Sequence, residues 1–582
     1  MATDVERRRR SDGSSTTTSA TAAEDTPLLR SGTSSSLTSR DVSPRRERQP
    51  AEGSEEPLSR TRATCIVLSM WALIFLQASN MSGISTTQSI IAADLDAYES
   101  AMWFTSAYMI SMSSVAPLAG RLAMIFSPGT MVLFSSGFFS LGALVTALAP
   151  TFAVFILGRV LTGAGAGGIM TLCMILVIQL TSKRRRGLWI GLTNAGFTVG
   201  VSAGAVVFGA LLPVLGWRLL FGAQAPLAAV AGLGVCFSIP AMAAHGDVKH
   251  KTTLQKLAGL DYAGAVALTV TIVLFLYGLS GTIQPLPILV SLVSLAIFLA
   301  IESVARDPVI PLSILKSRGV LFSCLSQLGF MAARWTVLFY APIFVLAVRG
   351  LSPAVAGAVL IPTNLGFGLG GLLVGALHIR HAGSFWFPAL LSLSLFSVAL
   401  FAMALVSNAA ASAGGYVAVV FVNGLCTGAA LNYTLAHLLH LSSPDMHFIV
   451  TGLLSTFRGF AGSFGTAIGG GVFTRTLRDA LVDGFGRLDR AGGLDAGREK
   501  LIAVLVGSPA AVFQDGVLTV AEREVAVLGY ERALSALYTA AAAVCVLVVV
   551  LQAGTGWTAP VSEKVDEEEF EEALAEDRGM EA

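Results

Sequence analysis

The sequence predicts an all-α protein that crosses a membrane many times, and three observations support this fold class. Of its 582 residues, 54% are hydrophobic and only 13% are charged, whereas about 25% of the residues of a soluble domain are charged. Apolar runs of about 20 residues, the length that a helix needs to cross a bilayer, recur along most of the chain. The loops between these runs carry positive charge mainly in every second loop.

About fourteen apolar runs reach the length of a membrane-spanning helix. The predicted spans are 64–83, 101–120, 130–149, 152–180, 187–213, 219–241, 261–282, 286–303, 320–347, 352–377, 385–406, 414–440, 448–473 and 533–552. Residues 1–62, which precede the first span, are rich in Ser, Thr, Arg and Pro. Such a composition is typical of a disordered tail.

The distribution of basic residues predicts the orientation of the spans. The sequences SKRRRG at 182–187 and ILKSRG at 314–319 lie in alternate loops, on the same side as the arginine-rich tail. The opposite loop AADLDAYES at 92–100 has no Lys or Arg. Basic loops remain in the cytosol, so we expect both tails to be cytosolic and the 474–532 segment to lie on the other side of the membrane.

Two sequence repeats predict an internal duplication. GRVLTGAG at 158–165 aligns with NGLCTGAA at 423–430, and the glycine spacing of the fifth span returns in the thirteenth. This offset indicates two six-helix lobes separated by two inserted helices. The predicted regions are a cytosolic N-tail at 1–62, an N-terminal lobe at 63–242, two inserted helices with their loops at 243–318, a C-terminal lobe at 319–553 and an acidic cytosolic C-tail at 554–582.

The glycines of the fourth span also match a dinucleotide-binding pattern, Gly163-x-Gly165-x-x-Gly168. That pattern requires a preceding strand and a βαβ unit, and neither is predicted here. Small residues let membrane helices approach closely, so we predict packing or gating roles for Gly163, Gly165, Gly200 and Gly204. We expect no cofactor, no metal site, no nucleic-acid partner at a net charge of +1, and no enzymatic activity.

Several motifs resemble those of the major facilitator superfamily, in particular its fungal fourteen-span drug:proton antiporter branch, which also holds vacuolar basic amino acid transporters. The resemblance covers roughly 64–552. LGRVLTGAGAGG at 157–168 resembles the span-four motif, with Arg159 in the place of the family arginine, and the stretch 200–226 resembles the span-five antiporter motif. The resemblance implies the major facilitator fold, a small-molecule substrate and the proton as a possible coupling ion.

The chain departs from the family pattern where proton coupling is expected. The family usually has an aspartate in the first span at the position of Asn80, and an acidic residue after the second span at the position of Met124. Because asparagine does not titrate, the resemblance leaves two interpretations open. Coupling has moved to an acid at the end of a span, such as Asp94, or the protein is a facilitator.

Few charged residues lie within the spans, and Arg159, Arg334 and Arg458 are the clear cases. A charge at a helix centre costs about 2.5–3.5 kcal/mol on insertion scales, so each is expected to face a cavity or a partner. Arg159 and Arg458 have a structural alternative, tying helix ends and loops together. The candidate substrate or coupling residues are Arg159, Asn80, Arg334, Trp335, Tyr340, Asn194, Asn364, Arg458 and Asp94.

The span centres offer amides, aromatic rings and arginines but no acidic residue. The sequence therefore favours a secondary transporter that moves a small neutral or anionic organic molecule out of the cytosol by alternating access. Uptake of basic amino acids into the vacuole is the alternative within transport. A sensor that has lost transport is the alternative from another class.

The stretch EDTPLL at 24–29 resembles an acidic dileucine sorting signal, formed by Glu24, Leu28 and Leu29. This resemblance implies a clathrin adaptor as a partner and favours the vacuolar (endolysosomal) membrane. The plasma membrane is the alternative location.

Overall fold

A computed structural model describes residues 60–123, 125–180, 183–239, 261–279, 283–305, 312–377, 384–443, 446–489 and 496–557. In these ranges the chain consists of α-helices, two short 3-10 helices and connecting turns, without a strand. The N-terminal bundle consists of α1 (Arg60–Asp94), α2 (Trp103–Leu122), α3 (Pro128–Ala147), α4 (Phe152–Leu180), α5 (Lys183–Gly222) and α6 (Gln224–Ser238).

Two helices, α7 (Tyr262–Leu279) and α8 (Pro285–Val304), follow the N-terminal bundle, and a single turn, α9 (Leu312–Leu315), leads on from them. The C-terminal bundle consists of α10 (Arg318–Ala347), α11 (Pro353–Ala358), α12 (Leu360–Leu377), α13 (Trp386–Val406), α14 (Ala413–His440), α15 (His447–Asp489), α16 (Ala496–Gly507) and α17 (Val520–Ala553). The 3-10 helices are Tyr98–Ser100 and Pro509–Phe513.

Within the described part of the chain, eleven helices are long and apolar enough to cross a membrane, and α6 is a shorter apolar helix. Helices also cover the second and thirteenth predicted spans, as α2 and the first half of α15. The all-α polytopic fold class is confirmed. The count of about fourteen spans stays a prediction.

Each bundle is held together mainly by its own helices. In the N-terminal bundle α4 packs on α2 and α3, while α1 packs on α5 and α6. In the C-terminal bundle α14 packs on α12 and α13, while α10 packs on α15 and α17. The inserted helices α7 and α8 pack on each other, and α7 also contacts α2 and α15.

The two bundles repeat the same close approaches between helices. The contact between α4 and α2 in the N-terminal bundle corresponds to that between α14 and α12 in the C-terminal bundle. Likewise, the contact between α5 and α1 corresponds to that between α15 and α10. At each of these meetings a glycine lies against a carbonyl oxygen of the neighbouring helix, where a Cβ would not fit. The glycine and carbonyl pairs are Gly163–Tyr108, Gly428–Phe367, Gly200–Phe75 and Gly465–Ala332.

Much of the 474–532 segment is helical. Helix α15 continues to Asp489, α16 and a 3-10 helix follow, and a capping box of Thr519 and Glu522 begins α17. Arg498 of α16 donates to Asp489 at 2.8 and 2.9 Å and also to Glu522. The hydrogen bond to Asp489, and to a lesser extent that to Glu522, raises the pKa of Arg498. Through these bonds α16 is joined to both α15 and α17.

Candidate substrate and coupling site

Arg159 lies in the interior of the N-terminal bundle and is fully buried. Its Nε donates to the carbonyl oxygen of Phe104 at 2.8 Å, and its Nη1 donates to Oδ1 of Asn80. The guanidinium carbon lies 4.6 Å from the ring centroid of Tyr108 and 5.7 Å from that of Phe221. One side chain of α4 therefore contacts α1, α2 and the end of α5.

Asn80 extends this network to a fourth helix. Its Nδ2 donates to Oε1 of Gln224 on α6 at 2.7 Å. Its Oδ1 accepts from Arg159, so the amide presents an oxygen where the family usually presents a carboxylate. Within the described ranges, Nη2 of Arg159 is buried without a hydrogen-bond partner. The groups that bond to the guanidinium or stack on it are thus neutral, and this arrangement leaves its charge uncompensated.

Arg334 occupies a comparable position in the C-terminal bundle. Only 4% of its surface is exposed, and its Nη2 donates to Oδ1 of Asn364 at 2.8 Å. Its Nη1 has a longer contact of 3.5 Å with the Thr363 hydroxyl, and its guanidinium carbon lies 4.4 Å from the Phe367 ring centroid. Asn364 in turn donates from Nδ2 to the hydroxyl of Ser202 at 2.7 Å, so this network reaches across to the N-terminal bundle.

Trp335 and Tyr340 lie on the same helix as Arg334 but have other neighbours. The Trp335 ring meets Phe197 of α5 edge-on at 6.2 Å and stacks with Phe339 at 6.0 Å. Tyr340 lies 4.8 Å from the Phe473 ring and lines a small cavity of about 40 Å³. This volume admits a few water molecules, so the cavity is too small for an organic substrate in this conformation.

The small cavity lies between the bundles. Its walls come from α1, α2, α10 and α15, and the 496–513 segment contributes Val506 and Pro509.

Gln88 of α1 donates to the carbonyl of Gly507 at 3.5 Å, and the hydroxyl of Ser89 accepts from the backbone of Ala510 at 3.3 Å. The 496–513 segment therefore closes the gap between the bundles at the end where α1 ends and α2 begins.

Asp94, the candidate for a relocated coupling acid, lies at the last residue of α1. It forms an ion pair with Arg218, and Nε1 of Trp217 donates to it at 3.2 Å. Arg218 also donates to the carbonyl of Ala149 at 2.9 Å. Asp94 is fourteen residues beyond Asn80, or about 21 Å along the helix, and its side chain is 42% exposed. The structure therefore places Asp94 away from the Arg159 network.

The remaining candidates differ in how far the structure describes them. Arg458 is partly exposed on α15. Asn194 lies on α5, but its side chain is outside the described residues, as are Met124 and the sorting residues Glu24, Leu28 and Leu29. The structure thus groups two pairs of candidates, Arg159 with Asn80 and Arg334 with Asn364.

The four glycines predicted to pack all lie at close helix approaches. The atoms nearest to an added Cβ would be the Tyr108 carbonyl oxygen at 2.3 Å from Gly163, the Phe139 nitrogen at 2.4 Å from Gly165, the Ala78 Cβ at 2.7 Å from Gly200 and the Ser79 Cα at 2.4 Å from Gly204. Three of these four atoms belong to backbone, which cannot rotate away. The sites leave no room for a methyl group.

We expect Gly163→Ala to destabilise the protein by about 1–3 kcal/mol, the usual cost of overpacking. The methyl group would force α4 away from α2, which carries Tyr108 and Phe104 around Arg159. Thermal unfolding of the purified protein in detergent measures this effect. Gly137→Ala on α3 is the matched control, because no atom lies within 4 Å of the added methyl group there. Equal melting temperatures for the two variants would contradict the packing role.

Three serines at the contacts between the bundles were not among the residues predicted from the sequence. Ser202 accepts from Asn364, and Ser113 of α2 lies 2.7 Å from the hydroxyl of Ser463 on α15. A serine in a helix can bond to its own backbone, so the sequence carries no signal that it has a tertiary partner. No group of three or more His, Cys, Asp or Glu side chains gathers in the part of the chain that the structure describes.

The family profile of the Major Facilitator Superfamily matches residues 70–466, which include most of α1, all of α2 to α14 and the Arg159 network. The chain belongs to this superfamily. Its members are transporters and not enzymes, and the predictions of the family and of a non-enzymatic transporter are confirmed.

Relatives within the superfamily include fungal transporters. The chain is 24% identical over 474 residues to MFS transporter L2 of Phoma sp., covering 77% of this chain and 76% of the relative. It is 27% identical over 358 residues to efflux pump dotC of Dothistroma septosporum, covering 58% of this chain and 59% of the relative.

Among solved structures, a bacterial homologue of the human lysosomal transporter Spinster, in an inward-facing and unoccupied conformation, shares the superfamily fold. The TM-score is 0.60 at 15% identity, and the alignment covers 86% of this chain and 99% of the homologue. At this level of identity the likeness concerns the fold alone.

Proposed function

We propose that the protein exports a small neutral or anionic organic molecule from the cytosol by alternating access between its two bundles. The observation that carries this proposal is the pair of buried guanidiniums. Among the described residues, neither Arg159 nor Arg334 has an ion-pair partner, and both bond to amide, hydroxyl or carbonyl oxygens. An interior with positive charge and neutral hydrogen-bonding groups attracts anions and repels cations.

The contacts between the bundles support alternating access. The hydrogen bonds between Ser113 and Ser463 and between Asn364 and Ser202 join hydroxyl and amide groups. A typical neutral hydrogen bond contributes only about 0.5–1.5 kcal/mol to stability. Two bundles joined by bonds of this kind can separate at a modest cost, as rocking of one bundle against the other requires.

The relatives support export as the direction of transport. One of them is named an efflux pump, and the export direction comes to this chain by that similarity. Uptake of basic amino acids remains the alternative within transport, and the two buried arginines disfavour it because they repel cationic substrates. A sensor without transport remains the alternative from another class.

Counterflow in proteoliposomes tests the proposed function. We expect purified protein to exchange indole-3-acetate or indole-3-acetamide and to exchange lysine poorly. Exchange of lysine alone would favour the basic amino acid transporter. Binding of these compounds without any exchange would favour the sensor.

We further propose that coupling does not use a carboxylate at the family position in the first span, which Asn80 occupies. Asn80 holds the position next to Arg159, and Asp94 is engaged in an exposed ion pair with Arg218. This arrangement favours a facilitator, and relocation of coupling to Asp94 is the alternative.

Asn80→Asp is expected to make substrate flux respond to an imposed pH gradient, whereas flux through the wild type is expected to ignore it. The physical reason is that a carboxylate gains and loses a proton, and an amide does not. Flux in proteoliposomes with and without the gradient measures the change, and Asp94→Asn is the parallel variant. A wild type that the gradient drives strongly, and that Asp94→Asn uncouples, would contradict this prediction and support relocation to Asp94.

For the location, we propose the vacuolar membrane with both tails in the cytosol, on the basis of the basic loops and of the sorting signal at Glu24, Leu28 and Leu29. A clathrin adaptor is the proposed reader of this signal. The plasma membrane is the alternative.

A further inference from the structure

Arg334 and Arg159 are both buried, but they differ in what encloses them. In the part of the chain that the structure describes, the hydrogen bonds and ring contacts of Arg159 are all to the N-terminal bundle. The network of Arg334 passes through Asn364 to Ser202 and so ends on the opposite bundle. Alternating access changes the contacts between bundles, so of these two networks it acts on that of Arg334, at the bond from Asn364 to Ser202.

The donor and acceptor roles in the hydrogen bonds of Asn364 follow from its contact with Arg334. Its Oδ1 is occupied by Arg334, so its Nδ2 is the group that faces Ser202, and this Nδ2 donates to the Ser202 hydroxyl. Nη1 of Arg334 points to the Thr363 hydroxyl at 3.5 Å, which is the outer limit of a hydrogen bond. Nη1 of Arg334 therefore has only a weak acceptor, the Thr363 hydroxyl. Nδ2 of Asn364 has an acceptor, the Ser202 hydroxyl, that belongs to the other bundle and can be exchanged for another.

The charge of Arg334 is also unmatched. Its guanidinium lies on the Phe367 ring, and the ion pairs of the described residues do not include it. A buried cation without an acidic partner is costly. An anion that enters from between the bundles would remove this cost.

We propose that Arg334 and Asn364 form the subsite for the anionic oxygen of a carboxylate substrate, and that the Ser202 hydroxyl occupies this subsite when no substrate is bound. The inference rests on the proposed function. The carboxylate would accept from Nη1 of Arg334 and from Nδ2 of Asn364. Charge-assisted hydrogen bonds of this kind are about twice as strong as neutral ones, so the anion displaces the serine.

The aromatic residue next to Arg334 on α10 is the basis for proposing an aromatic ring in the substrate. Trp335 follows Arg334 on α10, and its ring meets Phe197 of α5 edge-on and stacks with Phe339, with Gly462 of α15 close by. Trp335 is partly exposed, and flat aromatic molecules stack on such rings. A planar aromatic or heteroaromatic monocarboxylate offers a group to each of these two neighbours, an anion to Arg334 and a flat ring to Trp335.

This subsite also links binding to movement. The bond from Asn364 to Ser202 joins α12 to α5, which belong to different bundles. A substrate carboxylate that takes the place of Ser202 breaks this bond at the moment of binding. Occupation of the subsite therefore loosens one of the contacts that hold the bundles together, whereas a neutral analogue of the same shape leaves it in place more often.

Binding of indole-3-acetate and indole-3-acetamide to the purified full-length protein tests the inference, because the two probes share a shape and differ in charge. We expect the wild type to bind the acetate more tightly, and Arg334→Gln to reduce the ratio of the two affinities about tenfold or more. Arg334→Lys keeps the charge but loses the planar fork, and it is expected to retain part of the preference.

Ser202→Ala tests the same site without altering Arg334. The variant removes the competing hydroxyl, so we expect tighter binding of indole-3-acetate with the preference for the acetate preserved. Arg478→Lys, at an exposed arginine that pairs with Glu499, is the control and should bind both probes as the wild type does. Equal affinities of the wild type for the two probes, an unchanged ratio in folded Arg334→Gln, or weaker acetate binding in Ser202→Ala would each overturn the inference.

The proposed function and this inference fail in different ways. A wild type that exchanges neither probe in proteoliposomes contradicts the proposed function. A wild type that exchanges both probes, with a preference that Arg334→Gln leaves unchanged, contradicts the subsite alone.

Discussion

Arg159→Ala is expected to abolish transport and to destabilise the protein. The substitution removes the donors to the Phe104 carbonyl and to Asn80 and leaves both oxygens buried without these bonds. Each buried polar group that loses its partner costs about 1–3 kcal/mol. The substitution also leaves a cavity beside the Tyr108 ring, on which the guanidinium lies. Counterflow in proteoliposomes and thermal unfolding in detergent measure the two effects.

Arg159→Lys separates the charge from the geometry of the guanidinium. An ammonium group keeps the positive charge, but a single nitrogen cannot replace the planar fork that bonds to α1 and α2 at once. We therefore expect Arg159→Lys to fold better than Arg159→Ala and to transport poorly. Arg478→Lys serves as the control, because Arg478 is exposed and pairs with Glu499, away from the candidate residues. Wild-type rates in both Arg159 variants would contradict a role in transport.

A disulfide between Ser89→Cys and Ala510→Cys is expected to block transport almost completely and reversibly. In the structure the Ser89 hydroxyl accepts from the backbone of Ala510 at 3.3 Å, so the two positions are in contact. Ser89 belongs to α1, whereas the 496–513 segment is attached to the C-terminal bundle, for example by the hydrogen bond from Tyr530 to the Leu505 carbonyl. The bond would hold the bundles closed at this end, and alternating access requires them to separate there.

The measurement is counterflow before and after oxidation, followed by recovery with dithiothreitol. Each single cysteine variant controls for the substitution itself and for the six native cysteines. A second double variant, Ser397→Cys with Ala542→Cys, controls for cross-linking, because the Ser397 hydroxyl donates to the Ala542 carbonyl at 2.9 Å within the C-terminal bundle. Full transport by the cross-linked Ser89 and Ala510 pair would show that this end does not open, and would contradict alternating access in the form proposed here.

The sequence predicted where most of the helices lie, but it predicted only some features of the candidate site. Hydropathy located the helices because a membrane-spanning helix is recognised by its own length and composition. It also indicated that Arg159 and Arg334 need partners, since a charge in a bilayer is costly wherever it lies. It did not reveal the helices of 474–532, because this segment is mixed in charge and its helices are supported by contacts such as those of Arg498 with Asp489 and Glu522.

The identity of each partner depended on the packing of helices that are distant in the chain. Asn80 and Arg159 are 79 residues apart, and Asp94 and Arg218 are 124 residues apart. The sequence offered Asp94 as an acid to which coupling has moved from the position of Asn80, and the structure places these two residues about 21 Å apart along α1. Only the tertiary structure shows that Asn80 bonds to the buried arginine and that Asp94 bonds to an exposed one.

By itself the sequence determined the all-α membrane fold, the superfamily and the presence of costly arginines in the interior. These properties follow from local hydropathy and from motifs of a few residues. The tertiary structure decided which groups the arginines contact and which of the two networks crosses between the bundles. The physical reason is that a hydrogen bond requires two groups within about 3 Å, and the angles at which α5, α10 and α12 pack decide whether Ser202 comes that close to Asn364.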